Sequence, residues 1–198
     1  MTRVFAGLVA ACFAATMVNF AAAAAPTAAE PPSPIVGGVP SLGGHFALKS
    51  PDGRDVTEAS FPGKSLIVYF GYTSCPDECP TALNAIAAAL AELGPLAAKI
   101  QPIFVTVDPK RDTPQILADY VKAFDPRILG LYGSPQETAN AAKSFHVYYR
   151  TRSLGDGEYA VDHSAFIYLV NPHGQVVQLL PGDFPGHPMA AALRHLVQ

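Results

Sequence analysis

The chain has 198 residues, 49% of them hydrophobic and 15% charged, enough for one well-packed domain but too few for two comfortable cores. Its formal net charge of −3 is spread without long runs of either sign. No basic stripe is available to a polyanion, so nucleic-acid partners are excluded from the reading.

The first 25 residues differ in composition from the rest. Arg3 precedes an apolar stretch from Val4 to Phe20, interrupted only by Thr16 and Asn19, and five alanines follow before Pro26. This is the pattern of an export segment. Ala23-Ala24-Ala25 offers an A-x-A cleavage site, while about 20 residues at 1.5 Å each would also cross the ~30 Å hydrocarbon core. Residues 1–25 therefore read as a signal peptide or an N-terminal membrane anchor, with Cys12 as one of its ordinary apolar residues. Residues 26–40 are rich in Ala and Pro and cannot build a core, which makes them a tether. The folded domain is expected over 41–198.

Within that domain Ser65–Phe70, Pro102–Val107, Ala165–Val170 and Gln175–Leu180 are short, β-branched and bounded by turn residues, as strands are. Between the first two, Leu83, Ile86, Leu90 and Leu93 recur at helical spacing from Thr81 until Gly94-Pro95 stops the helix. A strand–helix–strand unit of this kind is a right-handed parallel crossover, which brings the C-terminal ends of its two strands, and with them Cys75 and Asp108, to one edge of the sheet. Further helices are predicted over Pro114–Phe124 with Thr113 as N-cap, over Pro135–Phe145 with Ser134 as cap, and over Pro188–Val197. Asn171-Pro172-His173-Gly174 turns the last two strands into an antiparallel pair. Residues 147–159, polar and with two glycines, read as a solvated connection or inserted hairpin. The order predicts an α/β protein with a thioredoxin-like fold, a central mixed β-sheet flanked by helices.

The chemistry concentrates in Cys75-Pro76-Asp77-Glu78-Cys79-Pro80. Both cysteines precede proline, which disfavours the α region and predicts that neither lies in a regular helix. Pro80 would then open the helix, leaving Cys79 at its N-cap, where the helix dipole favours a thiolate. Two thiolates with one imidazole form a soft, low-coordinate donor set suited to Cu(I), whereas structural zinc takes four protein ligands. Of the six histidines, His163 is placed just before a strand whose start faces the cysteine edge, which makes it the third metal ligand, with Asp162 beside it to orient the ring. His45, His146, His173, His187 and His195 read as structural or exposed. Asp108 reads as a turn residue with a supporting role at the site edge. A metal-free alternative remains open, in which Cys75 is the nucleophile and Cys79 the resolving thiol of a thiol-disulfide oxidoreductase. So does a disulfide that merely staples a loop.

Three segments, Phe70-Gly71-Tyr72-Thr73-Ser74-Cys75-Pro76-Asp77-Glu78-Cys79-Pro80, Val107-Asp108-Pro109-Lys110-Arg111-Asp112-Thr113-Pro114 and Val161-Asp162-His163-Ser164 with Tyr168-Leu169-Val170, occur in the order found in the Sco/SenC family of copper chaperones, which the chain resembles from about Ile35 onward. The resemblance implies one copper held by Cys75, Cys79 and His163. It also implies a role in assembling the binuclear copper centre of cytochrome c oxidase, by copper delivery, by thiol reduction, or both. The expected partners are the copper-accepting oxidase subunit and another copper chaperone or thiol reductant, met on the periplasmic side of the inner membrane.

Overall fold

A computed structural model describes residues 35–36 and 42–197. The predicted export segment and, apart from 35–36, the tether lie outside the described residues. Strand β1 (Ile35–Val36) and the short hairpin of β2 (Ala47–Lys49) and β3 (Asp55–Thr57) precede the first central strand, β4 (Ser65–Gly71). All seven residues of β4 are buried, as expected for an apolar run covered on both faces.

Helix α1 (Glu78–Leu93) follows and ends at Gly94, whose φ of 54° lies in the left-handed region that glycine enters without strain. Strand β5 (Ile100–Thr106) runs parallel to β4, in register from Ser65 opposite Ile100 to Gly71 opposite Thr106. The predicted crossover is therefore present. Helix α2 (Pro114–Phe124) starts as expected, with the Thr113 side chain accepting from the Ile116 backbone N–H. Strand β6 (Leu129–Leu131), too short to stand out in the sequence, pairs parallel to β5. Helix α3 (Pro135–Ser144) is opened by a capping box between Ser134 and Glu137.

Residues 147–159 are not a simple solvated connection. They contribute to an antiparallel hairpin, β7 (Tyr149–Gly155) with β8 (Glu158–His163), which forms a separate two-stranded sheet. His163 is thus the last residue of β8, and the hairpin is a structural arm of the site. Strands β9 (Phe166–Val170) and β10 (Val176–Pro181) and helix α4 (Gly186–Val197) complete the domain. The main sheet has the order β1-β10-β9-β4-β5-β6, with β9 antiparallel to β4. This is the expected thioredoxin-like arrangement, a mixed sheet flanked by helices. Tyr69, Phe70, Phe104, Phe145 and Tyr168 fill the core beside the aliphatic residues of β4. Phe145 meets both Phe70 and Tyr168, with ring centroids at 5.3 and 5.2 Å.

One prediction at the cysteines is corrected. Helix α1 begins at Glu78 rather than at the expected Pro80, with Asp77 rather than Cys79 as N-cap, so Cys79 lies inside its first turn. Pro80 is tolerated as the third helical residue because the first N–H groups of a helix have no intrahelical acceptor, and the missing donor is no loss. The first helical bond from the turn after it runs from the Thr81 N–H to the Asp77 carbonyl, at 3.1 Å.

Candidate metal centre

The site is built where β4 ends. Beyond Gly71 the chain turns through Tyr72, with the Cys75 N–H donating to the Tyr72 carbonyl at 3.2 Å. Asp112, in the loop before α2, anchors this turn by accepting from both the backbone N–H and the hydroxyl of Thr73, at 3.0 and 2.6 Å. Cys75 and Cys79 are free thiols. Cys75 is 9% exposed and Cys79 fully buried. The Cys79 backbone N–H, freed by its place in the first helical turn, donates to Cys75 Sγ at 3.4 Å.

His163 enters from the end of β8, with its Nε2 3.6 Å from Cys79 Sγ. One donor atom each from Cys75, Cys79 and His163 lies within 4.8 Å of the other two. Sulfur and nitrogen donors bind a first-row metal at roughly 2.0–2.3 Å, so two donors sharing one ion stand up to about 4.6 Å apart. The triad fits a single ion with little adjustment. The donor set is soft and three-coordinate, which suits Cu(I) and leaves structural zinc one protein ligand short.

Asp162 does not orient the imidazole as expected. Its carboxylate faces Arg150 and Arg152, at 3.4 and 3.2 Å, because adjacent residues of a strand point to opposite faces. The ring is held instead through Nδ1, 3.1 Å from the Ser164 carbonyl. A proton on Nδ1 donated to that carbonyl leaves the Nε2 lone pair free to bind a metal. Tyr69 and Tyr72 meet the imidazole edge to face, with centroids at 6.2 and 5.9 Å.

Electrostatics distinguish the two thiols. A hydrogen bond from the Cys79 thiol is the largest influence on Cys75 and holds its pKa well below the ordinary thiol range; burial opposes this, and His163 and the backbone of Cys79 and Asp77 reinforce it. Cys79 is pushed up, because it keeps the shared proton and is buried beside the Cys75 charge. Burial disfavours the charged form of His163, but the Cys75 thiolate and the Ser164 carbonyl outweigh it and raise its pKa above 6.5. The reduced site thus carries one thiolate, one thiol and an imidazole beside them. It opens into a cleft of about 360 Å³ whose walls include Asp77, Glu78 and Arg152.

Asp108 is a structural carboxylate, 5% exposed and bonded to Arg111 and to the Tyr159 hydroxyl. His45 and His187 pair with Glu58 and Glu92 outside the site. Tyr69, Tyr72, Asp112, Arg111 and Tyr159 support the site without having been singled out by the sequence. All but Tyr69 and Tyr159 lie inside the quoted motifs, which was the available signal.

The family model described as SCO1/SenC matches residues 37–198. This chain belongs to the SCO1/SenC family. It is 39% identical over 160 residues to "Protein sco1" of Schizosaccharomyces pombe, a match covering 79% of this chain and 61% of that protein. The chain therefore spans less than two thirds of that curated relative. Among solved structures, Bradyrhizobium japonicum ScoI with copper bound is 40% identical, with a TM-score of 0.73 over 78% of this chain and 99% of that one. BsSco, described with a disulfide switch as a member of the Sco family of cytochrome c oxidase assembly proteins, is 25% identical, with a TM-score of 0.62 over 83% of this chain and 96% of that one.

Proposed function

We propose that this SCO1/SenC protein is a copper metallochaperone, with one Cu(I) as its cargo. The observation that carries the reading is the convergence of Cys75, Cys79 and His163 within 4.8 Å. In this reading the two sulfurs and His163 Nε2 are the metal ligands, and Cys79 gives up its proton when the cargo binds. The copper-bound Bradyrhizobium ScoI supports the choice of metal. Residues 41–198 act as the copper-binding domain, and the export pattern of residues 1–25 supports a location on the periplasmic side of the inner membrane, anchored or soluble. The recipient is the copper-accepting subunit of cytochrome c oxidase, consistent with the assembly role described for BsSco.

The test is copper stoichiometry and Cu(I) affinity of the reduced protein, measured by competition with a chromogenic chelator. One equivalent is expected, with affinity sharply reduced in Cys75→Ala, Cys79→Ala and His163→Ala. Unchanged affinity in all three variants would remove the triad from the function.

A second reading, a thiol-disulfide oxidoreductase acting on partner cysteines without metal, is favoured by the unequal thiols. A thiolate at Cys75 beside a buried thiol at Cys79 is the arrangement of nucleophile and resolving thiol. It requires no ligand role for His163. Turnover of a mixed disulfide that persists in His163→Ala, with no copper bound by wild type or variant, would favour it.

A further inference from the structure

The β7–β8 hairpin carries the histidine of the site, yet among the described residues it makes no ladder with the main sheet. A lone two-stranded hairpin is marginally stable in water, and every residue of β7 after Tyr149 is exposed. Other contacts must hold it against the domain if His163 Nε2 is to stay 3.6 Å from Cys79 Sγ.

Arg111, in the loop between β5 and α2, provides such contacts. Its Nε donates to the Asp108 carboxylate, its Nη1 donates to the Tyr159 carbonyl at 2.8 Å, and its Cζ lies 3.8 Å from the centre of the Tyr159 ring. The Tyr159 hydroxyl donates to the same Asp108 carboxylate at 2.8 Å. One residue of β8 is thus held by its carbonyl, its ring face and its hydroxyl. Tyr159, Val161 and His163 alternate along β8 and so share one face, with Val161 buried between them. The guanidinium also lies 5.6 Å from the ring of Tyr72, which meets His163 edge to face. This grip needs a planar fork that can stack and donate in two directions at once, which a lysine ammonium lacks.

We propose that Arg111 is a positioning residue for His163: together with Asp108 it clamps Tyr159, fixes the hairpin against the domain, and so holds the imidazole at the thiol pair. The proposal rests on the reading of His163 as a copper ligand. Its test is a double-mutant cycle on the full chain, with Cu(I) affinity measured for wild type, Arg111→Leu, His163→Ala and the double variant. Arg111→Leu is expected to lower affinity about tenfold, the lower end of what displaced ligand support costs, and to weaken the imidazole contribution to the copper X-ray absorption spectrum. In the His163→Ala background the same substitution is expected to cost nothing further. Equal losses in both backgrounds, or no loss in the wild-type background, overturn the proposal. No loss in His163→Ala alone overturns instead the reading of His163 as a ligand, so the two failures are distinct. Arg111→Lys, which retains the charge, gives a second entry to the cycle should the leucine variant fold poorly, and it is expected to restore little of the affinity.

Discussion

A methyl group on Gly71 would stand 2.6 Å from the sulfur of Cys79. The last residue of β4 therefore sets how deep that sulfur sits, and Phe104, 2.9 Å from the same point, blocks the other way out. Gly71→Ala is expected to push the thiol out of place, lowering Cu(I) affinity and costing about 1–3 kcal/mol of stability through overpacking. Chemical denaturation and chelator competition measure the two effects. A variant with unchanged stability and unchanged affinity would show that the pocket yields.

The thiols should differ in reactivity. Cys75 is held toward the thiolate and reaches the cleft, whereas Cys79 is fully buried and keeps its proton. Brief alkylation of the reduced protein near neutral pH is expected to label Cys75 first, because the thiolate is the reactive form. Peptide mass spectrometry reads the order. Equal labelling, or labelling of Cys79 first, contradicts the assignment.

Protons should compete with copper for His163. Because its pKa is raised above 6.5, the imidazole is charged over a window that extends above the ordinary histidine value, and it must be neutral to ligate. The ratio of wild-type to His163→Ala affinity is expected to be constant at high pH and to fall as pH drops through the folded pKa, by at most about tenfold per unit. A ratio that stays flat from pH 5 to 8 would exclude the histidine.

Asp112 ties the thiol loop to the sheet, and it does so while 1% exposed. Burial raises its pKa despite the hydrogen bonds from Thr106 and Thr73. With the folded pKa above the unfolded value of about 3.9, the native state binds the proton more readily, so this group's contribution is fully present below that value and is lost as pH rises through the folded pKa. Asp112→Asn cannot ionise. Its denaturation midpoint relative to wild type is expected to improve as pH rises from about 4 toward neutrality; a pH-independent difference would count against the carboxylate as the titrating group.

The elements that were legible in the sequence are those whose signal is local. Thr113 and Ser134 cap their helices because a side-chain oxygen meets an N–H within the same turn. The β4–β5 crossover was legible because apolar runs and a helical period follow from burial alone. Strand β6 escaped notice because three residues carry no period, and its place is set by β5. The start of α1 was misplaced because a proline rule that holds inside helices relaxes in the first turn, and this places the Cys79 N–H on Cys75 Sγ.

Residue order alone specifies the inventory of the site: two thiols and a histidine, carried by motifs in the order of the SCO1/SenC family. Their support follows from the folded chain. That Ser164 rather than Asp162 holds the imidazole and that Gly71 makes room for the Cys79 sulfur are short-range contacts whose geometry the folded backbone sets, and that Arg111 grips Tyr159 joins two segments far apart in the chain. Residue type limits which groups can bind a metal, but it carries no information on distance across the chain. That is settled when burial of the core brings the ends of β4, β5 and β8 together.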